Sequence, residues 1–422
     1  MKIAFIANYL RGYHSHAGGA EKAIQQTAEL AQKKGNEVFF VTLPFDGEQD
    51  AESFSGAVYG VPVTETVFPF LKKYIEILKW YLSQFDPVSY FSILKLLKRE
   101  KPDIVHLGNF QFLTFSAVSA AKKLGIPVIL SVYDYWYFCP STSLFDKKNR
   151  ICRDFHGARC VGCLPSEFSI IQSALLFFRK MVFDRFLGKI DRFIALSWSS
   201  ADIIRSYGIG KERIETIRLP FVRPEWRNWE PAGAGGEYIL FTGWLQTRKG
   251  LHVLLDAMPK IWKRMPAIML RVLAQKVKWE KDYEELIESK LKTLPADKIV
   301  FELGAKNKAD VNGFIHGAAV VAVPEQWENM SPLIVIESMS LSKAVVASDI
   351  GGIPELVEHE KTGLLSKTGD ASDLAENILR FLEDKQFADE CGKRAKQKAM
   401  ELFDPAAIAD SINEEYLKWK KR

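Results

Sequence analysis

Two acidic side chains, Glu328 and Glu337, flank a short apolar segment that begins at Pro332. Apolar runs at 320–323 and 344–347 enclose this segment, and a Gly-Gly loop follows them, which predicts strand, acidic loop, helix, strand and glycine loop. The N–H groups and the dipole at the N-terminus of a helix bind phosphate. A nearby carboxylate accepts hydrogen bonds from sugar or ribose hydroxyl groups. The stretch therefore predicts a site for a ligand that carries both phosphate and sugar.

A second segment places cations between a strand and a helix. The predicted strand ends at Gly243, and Arg248, Lys249 and Gly250 stand where the next helical pattern opens. A cation in this position neutralises a leaving diphosphate. The alternative is a pair of surface cations at an ordinary helix start.

A third segment, Gly18-Gly19, follows the first predicted strand and opens a helix. Because glycine has no side chain, the backbone of this turn can approach a phosphate closely. A purely structural strand-to-helix turn would look similar, so both interpretations stay open. The segment lacks the G-x-G-x-x-G spacing of a dinucleotide site, which argues against an oxidoreductase.

The elements that must position these residues alternate between strand and helix in both halves of the chain. Strands are predicted at 2–8, 38–43, 104–107, 128–132 and 192–196, and again at 238–242, 268–273, 299–303, 320–323 and 344–347. Alternation of this kind is typical of parallel sheets. We predict an α/β protein of two doubly wound, Rossmann-like domains, with ligands beyond the carboxyl ends of the strands in a cleft between them. The predicted boundaries are 1–220 and 237–403, with a linker at 221–236 and a final helix within 404–422.

Composition narrows the function classes. The chain has 422 residues and is 47% hydrophobic and 26% charged, which fits two globular domains. A net charge of +5 suits anionic ligands or an anionic membrane surface but is too small to indicate nucleic acid. No apolar run has the length of a membrane span, and the N-terminus lacks the pattern of a signal peptide. We therefore expect a cytoplasmic protein, with the inner face of the membrane as the alternative location.

The segments around Glu337 and Lys249 closely resemble the nucleotide-sugar signature of retaining GT-B glycosyltransferases of the family 4 and group 1 type. The resemblance implies a GT-B fold whose second domain binds a nucleoside-diphosphate sugar and whose first domain binds the acceptor. It also implies that the C-terminal helix returns to the first domain. Transfer in that family proceeds on one face of the sugar and requires no metal cofactor.

The resemblance also implies roles for residues of the second domain. Glu337 matches the acid that binds the ribose, and the N–H groups of Leu333 and Ile334 would face the diphosphate. The family has a second acid, in contact with the donor sugar, with seven residues between the two. Asn329 occupies that register. Glu328 lies one residue too far and matches only if this chain carries a one-residue insertion around Met330-Ser331 relative to the family, so both remain candidates.

Three further matches concern the phosphates and the reacting centre. Lys249 matches a family lysine, while Trp244 replaces the arginine that normally follows the first glycine, so Arg248 is the candidate for the missing charge. Gly18 and Gly19 match a glycine loop that touches the donor phosphates. A close subset of the family carries His-Asp after a first-domain strand. Here Tyr133 takes the histidine position and Asp134 is kept, either near the reacting centre or as a cap on a turn.

Four of the five cysteines cluster in one stretch of the first domain: Cys139, Cys152, Cys160 and Cys163. Disulfides are disfavoured in a reducing compartment. The spacing suits a tetrahedral structural zinc that would fasten a long loop. The alternative is four reduced thiols packed in the loop.

Residues 68–101 are rich in aromatic, apolar and basic side chains, and residues 166–189 are similarly rich in aromatic and apolar side chains. Such amphipathic stretches lie on anionic membrane surfaces. They also occur as helices packed in the core, so both interpretations stay open.

The function that we predict is transfer of a sugar to a glycan or a lipid-linked acceptor, in the synthesis of a surface polysaccharide or lipopolysaccharide. One alternative is a catalytically degenerate protein that binds nucleotide sugar or glycan. The other is a soluble synthase of the glycogen or sucrose type.

Overall fold

The computed structural model describes residues 1–15, 18–47, 53–72, 75, 79, 84–146, 150–163, 169–221, 237–277, 280–304 and 308–420. Apart from Phe221, the linker predicted at 221–236 lies outside these residues, as do Ala17 and much of 73–83. The chain divides into two compact units. The first comprises Met1–Phe221 and Phe403–Arg422, and the second comprises Val222–Leu402.

The first unit is built on a parallel sheet with the strand order β3-β2-β1-β4-β5-β6-β7. The central strands are almost wholly buried, which is expected when helices cover both faces of a sheet. The strands are β1 (Lys2–Ile6), β2 (Glu37–Thr42), β3 (Ala57–Gly60), β4 (Ile104–Leu107), β5 (Val128–Ser131), β6 (Arg192–Ala195) and β7 (Ile214–Thr216).

Helices connect these strands, as parallel pairing requires. They are α1 (Gly19–Lys33), α2 (Thr64–Val67), α3 (Pro87–Glu100), α4 (Ser116–Lys123), α5 (Ser169–Leu187) and α6 (Trp198–Tyr207), with 3₁₀ turns at Pro69–Leu71, Ala158–Cys163 and Lys211–Arg213. Several begin at a side-chain cap, for example α3, where Asp86 accepts from the N–H of Ser89.

The second unit contains another parallel sheet, with the strand order β10-β9-β8-β11-β12-β13. Its strands are β8 (Tyr238–Trp244), β9 (Met269–Gln275), β10 (Ile299–Leu303), β11 (Val320–Val323), β12 (Val345–Ser348) and β13 (Leu364–Ser366). Strand β8 pairs with β9 on one side and with β11 on the other. The loops that follow β8 and β11 therefore meet at the carboxyl edge of the sheet, where its strands end.

The helices of the second unit complete its core. They are α7 (Leu251–Arg264), α8 (Lys281–Leu291), α9 (Lys308–Gly317), α10 (Leu333–Ser340), α11 (Ile353–Leu356), α12 (Ala371–Glu383) and α13 (Lys385–Leu402), with 3₁₀ turns at Thr247–Lys249 and Ala296–Lys298. Helix α7 buries Leu254, Met258 and Ile261 against the sheet at helical spacing, and α12 buries Leu374 and Ile378 in the same cluster.

The last helix, α14 (Pro405–Leu417), belongs to the first unit. Glu415 is 1% exposed and accepts from Nε of Arg192 at 2.6 Å. The hydroxyl of Tyr416 lies 2.6 Å from Nδ1 of His106 on β4. An ion pair and a buried hydrogen bond therefore connect α14 to two strands of the first sheet.

The predicted class of two doubly wound α/β units is confirmed by the two parallel sheets with their connecting helices. The three strands that the sequence did not predict, β3, β7 and β13, all lie at the edge of a sheet. Strands β3 and β7 are short and largely half-exposed, so they lack the continuous apolar run by which buried strands are recognised, and β13 has only three residues.

A close backbone contact between two loops determines the structure at the carboxyl edge of the second sheet. Gly250, between the turn at Thr247–Lys249 and α7, has a φ of +74°, a region that favours glycine. A Cβ atom at this position would lie 1.7 Å from the carbonyl oxygen of Pro324, in the loop after β11. The N–H of Gln326 donates to the carbonyl of Arg248 at 2.8 Å. The two loops thus contact each other through their backbones.

We predict that Gly250→Ala destabilises the protein by clearly more than the about 1–2 kcal/mol that a left-handed conformation costs a residue with a side chain. The added Cβ would overlap a backbone oxygen that cannot move aside without displacing the loop. Urea unfolding followed by tryptophan fluorescence measures the loss.

Gly369→Ala is the matched control in the same unit. Its φ is +79°, but its added Cβ would meet only the side-chain oxygen of Gln326, at 3.2 Å, which can move away. Equal losses in the two variants would show that the contact with Pro324 adds nothing.

Candidate active site

The second unit brings its predicted cations to the carboxyl end of β8. Lys249 is half-buried, and its side chain runs beside Gly243, whose added Cβ would lie 3.8 Å from Cδ of Lys249. Arg248 is fixed by a 2.8 Å hydrogen bond from its Nε to Oε1 of Gln246. Its guanidinium stacks 4.5 Å from the ring centroid of Trp327. The two cations therefore share one edge of the sheet, each with a defined position.

Glu325, which the sequence analysis did not select, is the centre of this edge. Only 2% of it is exposed. One carboxylate oxygen accepts from Nζ of Lys249 at 2.6 Å, and the other accepts from Nε1 of Trp327 at 2.5 Å and from Nδ2 of Asn329 at 2.9 Å. A signal was present in the sequence, since Glu325 stands two residues beyond the apolar run of β11, where ligand-binding residues of parallel sheets lie.

Asn329 is held within its loop on several sides. Its Oδ1 accepts from the N–H of Ser331 at 3.2 Å, and its carbonyl accepts from the N–H of Gly352 at 2.8 Å. Gly351 makes this approach possible, because it has a φ of +60° and an added Cβ would lie 2.7 Å from the carbonyl oxygen of Asn329. Glu328, the neighbouring candidate, is half-buried. The side chain of Asn329 is thus engaged by Glu325 and by its own loop.

Helix α10 follows this loop directly and begins at Leu333 after Pro332. Leu333 and Ile334 are half-buried and occupy the first two helical positions, whose N–H groups have no acceptor within a helix. Glu337, one turn further, is 5% exposed. The structure therefore places a helix N-terminus and a buried carboxylate after the loop that carries Glu325.

The predicted residues of the first unit lie at the carboxyl ends of β1 and β5. Gly18 precedes α1, and its N–H donates to Oε2 of Glu21 at 2.9 Å. Glu21 is buried, and this burial raises the pKa of its carboxyl group. Gly19 is the first residue of α1. Glu21 thus caps the start of the helix at the glycine loop.

Asp134 follows β5 and organises a turn. Its Oδ1 accepts from the N–H of Trp136 at 2.8 Å, which is the capping arrangement that the sequence analysis gave as the alternative to a site near the reacting centre. The side chain is half-buried, so the turn leaves it partly accessible.

Tyr133 belongs to a polar network inside the first unit. Its hydroxyl forms hydrogen bonds with Thr27 on α1 and Ser131 on β5, and burial raises its pKa to about 12. Ser131 in turn lies 2.8 Å from Nε2 of His106, whose pKa burial lowers to about 3. His106 contacts Tyr416 on α14, so the network extends from α1 to the C-terminal helix.

The four clustered cysteines line one open pocket of about 940 Å³ in the first unit. All are free thiols. Burial, followed by the charges of the neighbouring thiols and Asp154, raises the pKa of Cys160 to about 12. Thiolates are ligands that zinc prefers, so the donor type fits. Within the part of the chain that the structure describes, however, no three metal-ligating side chains lie close enough together to hold an ion.

The two sheets thus carry separate sets of predicted residues. Arg248, Lys249, Glu328, Asn329 and the start of α10 come together at one edge of the second sheet. Gly18, Gly19, Asp134 and the cysteines lie in the first unit.

None of the described helices has the length and apolar character that a bilayer-crossing segment needs.

Known proteins with related sequences include a sulfoquinovosyl transferase and a glycogen synthase. Sulfoquinovosyl transferase SQD2 of Arabidopsis thaliana is 24% identical over 352 residues, which are 78% of this chain and 60% of the plant protein. Glycogen synthase of Mycobacterium tuberculosis is 25% identical over 327 residues, which are 76% of this chain and 70% of the synthase. The matched region is therefore less than two thirds of the length of the plant protein.

Among solved structures, HepE of Anabaena in complex with UDP and glucose superposes with a TM-score of 0.71. It is 19% identical, and the match covers 99% of this chain and all of HepE. This likeness shows the same GT-B fold. Residues 17–220 match the sequence profile of Glycosyltransferase Family 4, and residues 222–398 match that of Glycosyl transferases group 1. Together they span most of the chain, which therefore belongs to the GT-B glycosyltransferases of the family 4 and group 1 type.

Proposed function

We propose that this protein is a retaining glycosyltransferase that moves a sugar from a nucleoside-diphosphate sugar to a glycan or a lipid-linked acceptor. The observation that supports this most strongly is the shared edge of the second sheet. There, Arg248 and Lys249 lie on a loop in backbone contact with the loop after β11, which leads into α10. Cations and a helix N-terminus are the groups that bind a diphosphate.

Groups on both loops would bind the donor. Lys249, Arg248 and the N–H groups of Leu333 and Ile334 bind the diphosphate, and Glu337 accepts from the ribose. For the donor sugar, Glu328 is favoured over Asn329, because the side chain of Asn329 donates to Glu325 and accepts from the N–H of Ser331.

The chemical step needs little from side chains beyond position and charge. The bond between the anomeric carbon and the diphosphate oxygen breaks, and the acceptor oxygen bonds to that carbon on the same face. The acceptor proton passes to the departing diphosphate. Lys249 and the N-terminus of α10 stabilise the negative charge that develops on that diphosphate. This sequence of events requires no metal.

The first unit is proposed to bind the acceptor, with Asp134 at the carboxyl edge of its sheet. Gly18 and Gly19 remain candidates for contact with the donor phosphates. A lipid-linked acceptor is favoured by exposed aromatic side chains: Phe70 is 78% and Phe91 is 66% exposed. Phe91 shares the exposed face of α3 with Lys95 and Lys98, at helical spacing. Aromatic rings beside lysines suit an anionic membrane surface.

Catalytic degeneracy is the second candidate function, and Trp244 favours it. This residue stands where the family carries an arginine, and it is 42% exposed at the end of β8. Release of free nucleoside diphosphate from a donor separates the two candidates, since a protein that only binds the donor releases none.

The first prediction from the proposed function concerns the donor. One of UDP-glucose, GDP-mannose, ADP-glucose and TDP-glucose is expected to raise the thermal midpoint, because a ligand that binds only the native state stabilises it by mass action. Glu337→Ala is expected to abolish this shift and the release of nucleoside diphosphate while the circular dichroism spectrum is kept. An active Glu337→Ala enzyme would refute the site.

The second prediction concerns the membrane. The protein is expected to sediment with phosphatidylglycerol-containing vesicles and to be released by salt, because salt screens surface charge. Phe91→Ser should weaken this binding by about tenfold or more, since burial of one phenylalanine ring contributes about 1.5–3 kcal/mol. Leu286→Ser, an exposed apolar residue of the second unit, is the matched control. No binding would favour the soluble synthase, and equal binding to neutral vesicles would contradict the contribution of the lysines.

The third prediction concerns the cysteine pocket, for which we propose a structural zinc. The four thiols line one pocket, and zinc binding would draw them closer together. The purified protein should contain about one zinc per chain, and its thiols should react with a thiol reagent only after chelation. Four freely reacting thiols and no zinc would instead support reduced cysteines.

A further inference from the structure

Glu325 is a carboxylate almost without contact with solvent. Its three donors, Nζ of Lys249 at 2.6 Å, Nε1 of Trp327 at 2.5 Å and Nδ2 of Asn329 at 2.9 Å, come from both loops at the edge of the second sheet. A buried charge is costly unless it is paired and hydrogen-bonded. A buried ion pair is weak evidence for stability, because the cost of removing both charges from water offsets their attraction. The position of the pair within the site is therefore the more informative feature.

Lysine is the flexible partner of this pair. Its long side chain has many rotamers, and fixing it as charge develops on the leaving diphosphate costs conformational entropy. Here Glu325 already orders Lys249, whose side chain remains 24% exposed. The ammonium group is thus oriented by a buried acceptor while part of the side chain still faces solvent.

The same carboxylate also organises the loop after β11. Asn329 stands eight positions before Glu337 and carries no charge, but its amide donates to Glu325. Trp327, which donates through its indole N–H, is the ring on which Arg248 stacks at 4.5 Å. Glu325 therefore contacts Lys249 directly and Arg248 through one intermediate.

We propose that Glu325 is a positioning residue for the donor diphosphate, and that it acts through Lys249. It holds the ammonium group where the leaving diphosphate develops charge, so that little reorganisation is needed during the reaction. This inference rests on the proposed function, because it assigns the role of Glu325 within the same diphosphate site.

A double-mutant cycle tests the proposal. The full-length wild-type protein, Glu325→Gln, Lys249→Ala and the combined variant are compared for release of nucleoside diphosphate from UDP-glucose, GDP-mannose, ADP-glucose and TDP-glucose. Glu325→Gln should lower kcat by about 10- to 100-fold, the scale of a misplaced catalytic group. Its affinity for the free nucleoside diphosphate, measured by calorimetry, should change by less than about threefold, because Lys249 remains available to bind.

The decisive outcome is the behaviour of the combined variant. If Glu325 acts through Lys249, adding Glu325→Gln to Lys249→Ala should change kcat by less than about twofold. Losses that multiply would show that Glu325 acts independently of Lys249. A Glu325→Gln enzyme with wild-type kcat would also overturn the proposal.

Two further variants serve as a control and as a substitute for Glu325→Gln. Asp256→Asn removes the carboxylate of an exposed pair, Asp256–Lys290 at 2.5 Å, in the same unit, and should leave kcat unchanged. If Glu325→Gln does not fold, Glu325→Asp keeps the charge but shortens the reach. Its smaller loss of kcat should likewise disappear in the Lys249→Ala background, and persistence of that loss would overturn the proposal. If wild-type protein neither binds nor cleaves any of the four donors, the proposed function fails and this inference fails with it.

Discussion

The carboxyl edge of the second sheet depends on the contact between the loops that follow β8 and β11. That contact depends on Gly250. The carbonyl of Pro324 occupies the space in which any other residue at position 250 would have its side chain. Because the backbones can approach this closely, Lys249 reaches Glu325, and Gln326 donates to Arg248. If the loops were held apart, the ion pair would be broken and a carboxylate that is 2% exposed would lose its charged partner.

Elements whose pattern is local could be predicted from the sequence. The buried central strands and the helices beside them carry runs and periodicities that need no knowledge of the rest of the fold. The edge strands β3, β7 and β13 could not be found in this way. The residues of β3 and β7 are largely half-exposed, and β13 has only three residues, too few to form a recognisable apolar run. Their place in the sheet depends on the neighbour with which they pair.

The site was predictable to a similar degree. Lys249 and Glu337 lie in segments with a recognisable order of strand, loop and helix. Glu325 was missed, since its importance comes from Lys249, which is 76 positions away in sequence and approaches only through the close contact at Gly250. The choice between Glu328 and Asn329 could not be made by counting residues. It depends on the direction of the Asn329 side chain, which donates to Glu325 and which a residue count does not reveal.

Two of the departures from the family pattern, Tyr133 and Trp244, have different physical consequences. Tyr133 is tied to Thr27 and Ser131, with a pKa of about 12, so it is a fixed neutral hydrogen-bonding group and not a proton carrier near neutral pH. This agrees with a reaction in which the diphosphate itself takes the acceptor proton. Trp244 removes a positive charge from the end of β8, and Arg248, stacked on Trp327, is the cation closest in sequence that can replace it. Arg248 thus adds a second positive charge to that of Lys249, which Glu325 holds in place, and a diphosphate would need both cations to offset its own charge.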